Sequence, residues 1–513
     1  MTLKKIYLSG ILTFLLVFPT YSQLTKGMNY SLETGIELSG GDHSPFWLTA
    51  NKFGLSSIKN NHGYLRAGIF RPYEQDKKFS YAFGVDLAGA YNFTSSFIIQ
   101  QAYIDLKYRA IELSIGSKER DTEFKNQMLS SGGMTFSRNA RPIPQVRIGI
   151  PEYLIIPRTK NMLAIKGYIA YGGFTDSNWQ KDFAAPDTRY NKNVLYHSKS
   201  LYIKIGNEDK KPLVFEGGIE TAAQFGGRCY NVPGYEPYLD MPNRFKDFLT
   251  IFAFSGSDAT DGEYSNAYGN HLGSWHASFS YKFPKWKIKA YYEHFFEDHS
   301  MIIDEYAWKD YVDGNNGFWG WLVPPIIPSG YYWKDGLYGL EVTFPENRFI
   351  ETLVYEYLGT REQSGPIYHD HTPEIPDQLG GRDNYYNHGI YTGWQHWGMG
   401  VGNPLLTSPI YNSDGEISFE NNRVKAHHIG ISGKPTNEIG YRVLFSHTRG
   451  WGTYSNPFLD IKKNSSMLFE ATYTPGKLKG WQITGSFAFD HGKLMGNNTG
   501  GMLLIRKTGL FGK

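Results

Sequence analysis

The sequence predicts an all-β protein: a transmembrane, antiparallel, up-and-down β-barrel of about eighteen strands whose long extracellular loops partly fill the lumen. Three observations carry this. Apolar residues alternate with small or polar ones in many short segments. The connections between segments alternate short and long. The composition combines 16% aromatic residues and 57 Gly with only 41% hydrophobic residues. At a mean hydropathy of -0.43, nothing beyond the N-terminus is apolar enough for a membrane helix, whereas barrel strands are apolar on one face only and average out as polar.

In chain order, the first element is a signal peptide at 1–22, because Lys4 and Lys5 precede an apolar run from Ile11 to Phe18. That run is too short to span a bilayer. Its removal leaves 23–513 as the barrel and lowers the formal charge from +3 by the two lysines, to near neutrality, so nucleic acid is not an expected partner. The single cysteine, Cys229, cannot form an internal disulfide, so an exported chain of this size depends on hydrogen bonding.

Strands are expected near 28–39, 63–71, 79–91, 97–108, 110–117, 144–156, 162–172, 199–206, 213–223, 273–283, 285–296, 336–344, 347–358, 425–433, 438–448, 466–474, 480–490 and 500–511. In the third, Phe79, Tyr81, Phe83 and Val85 alternate with Ser80, Ala82, Gly84 and Asp86. In the tenth, Trp275, Phe279 and Tyr281 alternate with Ser274, Ser278 and Ser280. Such segments suit lipid outside and a polar lumen inside.

Every second connection is a short polar turn (YEQDKK, YRA, PRTKN, NEDKK, PK, PEN, KPTN, PGKLK). Most of the others are long, notably 173–198, 224–272, 297–335 and 359–424. This sorting by parity belongs to a membrane barrel with periplasmic turns and extracellular loops. A soluble sandwich or propeller has no reason for it. Closure also pairs every backbone polar group, which hydrocarbon requires. Eighteen strands enclose a water-filled lumen unless something fills it, and the long loops are the candidates.

The stretch SSGGMTFSRNARPIPQVRIGIPEY, residues 130–153, then falls partly in an extracellular-rim loop (118–143) and partly on a strand where Arg147, opposite Val146 and Ile148, faces the lumen. This stretch, with SPFWL at 44–48 and HSKSLYIKIG at 197–206, resembles the Wzi family of capsule assembly proteins, in its Bacteroides-type form, over nearly the whole mature chain. The resemblance implies an eighteen-stranded outer-membrane barrel that binds capsular polysaccharide at the cell surface without enzymatic activity. Some family members carry a helical plug at the periplasmic mouth. Here only a handful of residues precede the first strand, and the one helix-like run, 243–254, lies in an extracellular loop.

Sugar binding needs aromatic faces for pyranose rings and polar groups for hydroxyls and carboxylates. Trp275, Trp286 and Trp481 fall in expected strands; the other nine of 12 Trp lie in loops. Trp319 and Trp321 (GFWGW), Trp333 (YYWKDG), and Trp394 and Trp397 (YTGWQHWG) are the stacking candidates, or else the packing of a loop plug. Arg138 and Arg141 could fork onto the carboxylates of an acidic polymer, or pair with acids of the wall. Arg147 is a further candidate, or a lumen ion-pair partner.

Catalytic readings are weak. His369, Asp370, His371 and Glu374 form a loose cluster in a loop, and His427 and His428 point to opposite faces of one strand, so no metal site is expected. No G-x-S-x-G or nucleotide fingerprint is present, so neither a catalytic residue nor a cofactor is expected. The favoured function is a lectin-like outer-membrane protein that organises or anchors capsular or extracellular polysaccharide, monomeric and surrounded by outer-membrane lipid. The alternatives are a porin or substrate-specific channel, and a barrel hydrolase.

Overall fold

The computed structural model describes residues 27–74, 77–253, 268–297, 334–366 and 381–511. Eighteen strands form one sheet: β1 (Asn29–Gly41), β2 (His62–Arg71), β3 (Phe79–Tyr91), β4 (Phe97–Tyr108), β5 (Ile111–Ser117), β6 (Gln145–Ile155), β7 (Leu163–Gly173), β8 (Leu195–Ile205), β9 (Leu213–Phe225), β10 (Asn270–Lys282), β11 (Lys287–Glu297), β12 (Gly336–Thr343), β13 (Thr352–Gly359), β14 (Val424–Gly433), β15 (Ile439–Gly452), β16 (Pro457–Tyr473), β17 (Trp481–Gly492) and β18 (Asn498–Leu510). Each pairs antiparallel with its chain neighbours. β1 pairs with both β2 and β18, which closes the barrel and leaves no edge.

The alternation fixes the two faces. On β3, Phe79, Tyr81 and Val85 are exposed outward, while Ser80, Ala82, Asp86 and Ala88 are buried inward. On β1, Leu32, Ile36 and Leu38 point out and Glu33 and Glu37 point in. The outer face is the continuous apolar surface that a membrane-spanning barrel needs. Among the described residues no helix is long and apolar enough to cross a membrane.

Four expectations need correction. β16 starts at Pro457 rather than 466, and β15 runs to Gly452, so their connection is a four-residue turn and not a long loop. Lys462, Lys463 and Asn464 hide the strand period in the sequence, yet the backbone pairing continues through them. The 92–96 and 493–497 connections are short as well, so the sorting by rim holds only in one direction: the turn rim is uniformly short. Trp286 lies in the turn before β11, stacked on Phe283 at 4.0 Å, and not in the strand.

The largest correction concerns 118–143. This loop does not stay on the rim; it runs down inside the barrel. The wall explains why, because Asp105, Glu293 and Glu356 all point into the lumen, are nearly or fully buried, and need partners. Lys118 Nζ donates to Asp105 Oδ2 at 2.6 Å, and Ser130 Oγ and Ser131 N donate to the two Glu356 oxygens at 2.6 and 2.7 Å.

Loops 42–61 and 360–423 pack against this strap. The first contains helix α1 (Phe46–Thr49), whose Phe46 N–H donates to Asp490 Oδ2 at 2.9 Å, so SPFWL anchors a plug. The second buries Tyr385, Tyr386, Ile390, Tyr391 and Trp394 completely. At Gly402 the two long loops touch, and a Cβ there would overlap Met134 O and the Tyr386 hydroxyl, so only glycine fits. The lumen is therefore filled by the chain's own loops. Two further helices lie in loops: α2 (Ser177–Phe183) and α3 (Phe245–Ala253), the latter close to the expected 243–254.

Candidate functional site

Between the strap and the inner wall of β5–β9 lies a cavity of about 340 Å³, within the roughly 300–1,000 Å³ usual for small-molecule sites. Strand parity supplies one side, with Glu112 from β5, Arg147 from β6, Tyr168 from β7, Tyr196 from β8 and Glu220 from β9. The loops supply the other, with Phe53, Lys118, Arg120, Asp121, Phe136 and Arg141.

The guanidinium groups set its character. Arg147 lies flat on the Tyr168 ring, Cζ 3.3 Å from the centroid. Arg141 is buried, donates to Thr94 Oγ1 at 2.7 Å and packs on Trp397 at 4.5 Å. Arg120 donates to Ser114 Oγ at 2.9 Å and to Lys118 O at 3.2 Å. Among the described residues, no carboxylate lies within ion-pairing distance of these three. Burial pushes Arg141 down to about 10. Burial, and then the Arg147 charge beside it, also push Arg120 to about 10. An anion entering here would meet donors whose positive charge is not already neutralised.

The expected residues divide accordingly. Arg141 and Arg147 line the cavity, and Trp397 stacks on Arg141 from behind. Arg138 does not line it: Nη1 donates to Gln127 O at 2.6 Å, Nε is 3.6 Å from Asp121 Oδ1, and the group sits over Phe53. Its fork is used in holding the strap. Trp394 is fully buried, with Nε1 donating to Thr135 O at 3.0 Å, and presents no free face to a sugar, so its role is plug packing. Trp319, Trp321 and Trp333 lie outside the described residues, as do His369, Asp370, His371 and Glu374. Arg120 and Tyr168 were missed. Parity on β7 pointed Tyr168 inward, whereas Arg120 was hidden in the mixed-sign run Lys118, Glu119, Arg120, Asp121, which reads as solvated loop.

One group of side chains has the composition of a metal site. Glu220, His276 and Glu293 project from the adjacent strands β9, β10 and β11, with ligand atoms within 4.8 Å of one another. His276 is directly opposite Glu293 in register. Lys125 from the strap already touches the same group, Nζ 2.5 Å from Glu293 Oε2. Its ammonium supplies the positive charge that two buried carboxylates require. His427 and His428 do face opposite ways: His428 is buried, its Nε2 donating to Leu129 O at 2.7 Å, and His427 is exposed.

No protein-family model matches the sequence, and neither does any curated protein. Solved structures do match. Wzi from Escherichia coli, described as an outer membrane protein involved in group 1 capsule assembly and a carbohydrate-binding β-barrel, superposes with a TM-score of 0.54 at 11% identity, over 95% of this chain and 89% of its own. The likeness is one of fold. OpdK and OprD, outer membrane proteins of Pseudomonas aeruginosa, superpose less closely, with TM-scores of 0.44 and 0.43 at 9% and 8% identity, over 94% of this chain in each case and 98% and 94% of their own.

Proposed function

We propose that this chain is a non-catalytic outer-membrane barrel that binds acidic capsular or extracellular polysaccharide and holds it at the cell surface, its long-loop rim outward. The observation that carries the reading is the cavity in which Arg120, Arg141 and Arg147 stand without carboxylate partners beside the Tyr168 and Phe53 rings. Guanidinium forks suit the carboxylates of uronic acids, and aromatic faces suit the apolar side of a sugar ring. A cavity of this size has room for one or two rings, so it grips part of a polymer whose remainder stays outside. The fold shared with a carbohydrate-binding barrel supports the same reading. Trp397, and Trp319, Trp321 and Trp333 in the longer loops, are the proposed outer stacking positions.

The loop plug counts against an open porin, because the described parts of the three loops form a buried core inside the barrel. The test pairs two measurements on the purified barrel: binding to an acidic polysaccharide and to a neutral one of similar length, and conductance in planar bilayers. Binding of the acidic polymer without a large steady conductance is expected. A wide conductance with no polymer binding would replace this reading with the porin.

A further inference from the structure

Along the barrel's outer face, a patch on β8–β10 breaks the rule that outward means exposed. Thr221, Ala223 and Phe225 of β9 alternate outward with Ile219, and His197 of β8 and His271 of β10 flank them in register. All five are nearly or fully buried. What covers them is the connection after β9, which folds back over the outside of the wall. Its helix α3 packs Phe248 on Phe225 and Tyr171, with ring centroids 5.1 and 5.3 Å apart, and buries Ile251. The Tyr171 hydroxyl donates to Phe248 O at 2.8 Å, and Lys199 Nζ donates to Phe252 O. The helix starts where Asp247 accepts from the Arg244 N–H at 2.6 Å.

Having covered that patch, α3 exposes another. Phe245, Leu249 and Phe252, spaced i, i+4, i+7 and so on one side of the helix, are 80%, 58% and 40% exposed. This stripe is continuous with the lipid-facing belt below it: along β8, Lys199 under Phe252 is followed outward-facing by Leu201 and Ile203, themselves 53% and 40% exposed. Arg244 and Lys246 are exposed at the start of the same helix.

We infer that α3 is a lipid-binding element seated in the bilayer interface at the long-loop rim. Phe245, Leu249 and Phe252 enter the acyl boundary beside the belt, and Arg244 and Lys246 meet the phosphate of lipid headgroups. Continuity with the belt selects lipid over a second barrel, and an aromatic stripe flanked by cations is the composition of an interfacial helix, which sits about 5–10 Å into the boundary. The loop thus extends the membrane-contacting surface sideways from strands β7–β10.

The test places a polarity-sensitive fluorophore at Leu249→Cys on a Cys229→Ser background and reconstitutes the full barrel in phosphatidylethanolamine/phosphatidylglycerol vesicles. Lipids brominated near the glycerol end of the acyl chain should quench it severalfold more than aqueous iodide does. Changing Arg244 and Lys246 to Gln should reduce that quenching in the anionic vesicles, and added salt should do the same. A probe quenched mainly by iodide would overturn the inference. So would a disulfide formed in high yield between two copies of the unlabelled Leu249→Cys variant, which would assign the stripe to a second copy of the chain. Leu201→Cys on β8, labelled identically, should be quenched by deeper bromines, and it confirms in each preparation that the barrel itself is inserted.

Discussion

Lys125 Nζ lies 2.5 Å from Glu293 Oε2 inside the barrel, and both side chains are 1% exposed. The strap and the wall are thus joined by a buried ion pair. Glu293 Oε1 also accepts the Met134 N–H at 2.7 Å, so one carboxylate holds the strap at two points nine residues apart. Lys125→Met leaves that carboxylate buried without its cation, at a cost of about 3–5 kcal/mol. The variant should unfold at lower denaturant concentration by heat-modifiable gel mobility and show noisy channel openings that the parent lacks. Lys125→Met with Glu293→Leu should recover most of the stability. Equal stability of Lys125→Met and the parent would mean that the pair does not hold the plug.

The register of the wall is open to a two-mutant comparison. Phe83 faces outward and Ala82, next to it on β3, faces inward. An arginine on the lipid face near the bilayer midplane costs about 2–4 kcal/mol, so Phe83→Arg should impair assembly while Ala82→Ser passes unnoticed. Identical behaviour of the two in an assembly assay would reject the assignment of faces.

For the cavity, charge and structure should separate. Arg147→Ala and Arg120→Ala each remove a charged donor lining the cavity; on the proposed reading each is worth about 1.5–3 kcal/mol and its loss should weaken acidic-polymer binding by tenfold or more. Neutral polymer should be affected little. Arg138→Ala, whose fork holds Gln127 O, should lower plug stability with little change in affinity. If Arg138→Ala abolishes binding in a stable barrel while Arg147→Ala does not, the site lies on the other side of the strap.

Acidification should loosen the plug. His388 in the 360–423 loop accepts the Ile390 and Tyr391 N–H groups on Nδ1 at 3.1 and 3.3 Å, which requires a neutral ring. Burial, and then Arg189, hold it down at about 4, and burial lowers His396 in the same direction. The unfolded chain therefore binds protons that the folded plug refuses. The stability is complete above pH about 6.5 and falls toward pH 4, by up to about 1.4 kcal/mol per pH unit per site. Limited proteolysis of this loop should accelerate over that window, and His388→Asn should flatten the dependence.

Sidedness follows from loop parity. A tag at Gly234, where a side chain would meet nothing within 4 Å, should be reached by antibody on intact cells. A tag at Glu346, in the turn between β12 and β13, should require permeabilisation. Surface labelling at Glu346 would invert the orientation.

The wall was legible in the sequence because a strand with one face in lipid must alternate, and Phe79 to Val85 do so without a break. Strand ends were legible only where the period survived, and Lys462, Lys463 and Asn464 hid nine residues of β16, 457–465. Little of the plug could be read. Its partners are hundreds of residues apart, as with Ser130 and Glu356 or Trp394 and Thr135, and no local pattern announces such pairs. A loop residue's polarity is also ambiguous: Arg138 and Arg141 look alike in sequence, yet one ties the strap and the other lines the cavity beside Arg147 of β6. Trp394 looked like a stacking residue for the same reason, since an aromatic ring in a loop serves a plug core as well as a ligand.

Two of the loops that fill this barrel come from its middle, between β5 and β6 and between β13 and β14, and the third lies beside the seam, between β1 and β2, where β1 also pairs with β18. Each is held at both ends by neighbouring strands, so it enters the lumen from one rim as a doubled-back segment. The strap reaches Asp105 on β4, Glu293 on β11 and Glu356 on β13, positions that come near one loop only once the sheet has curled, so the interior takes its final packing only as the wall does. A mutation in the strap therefore loosens a joint between strands far apart in the chain, and it should show in the stability of the whole cylinder as well as in the closure of the lumen.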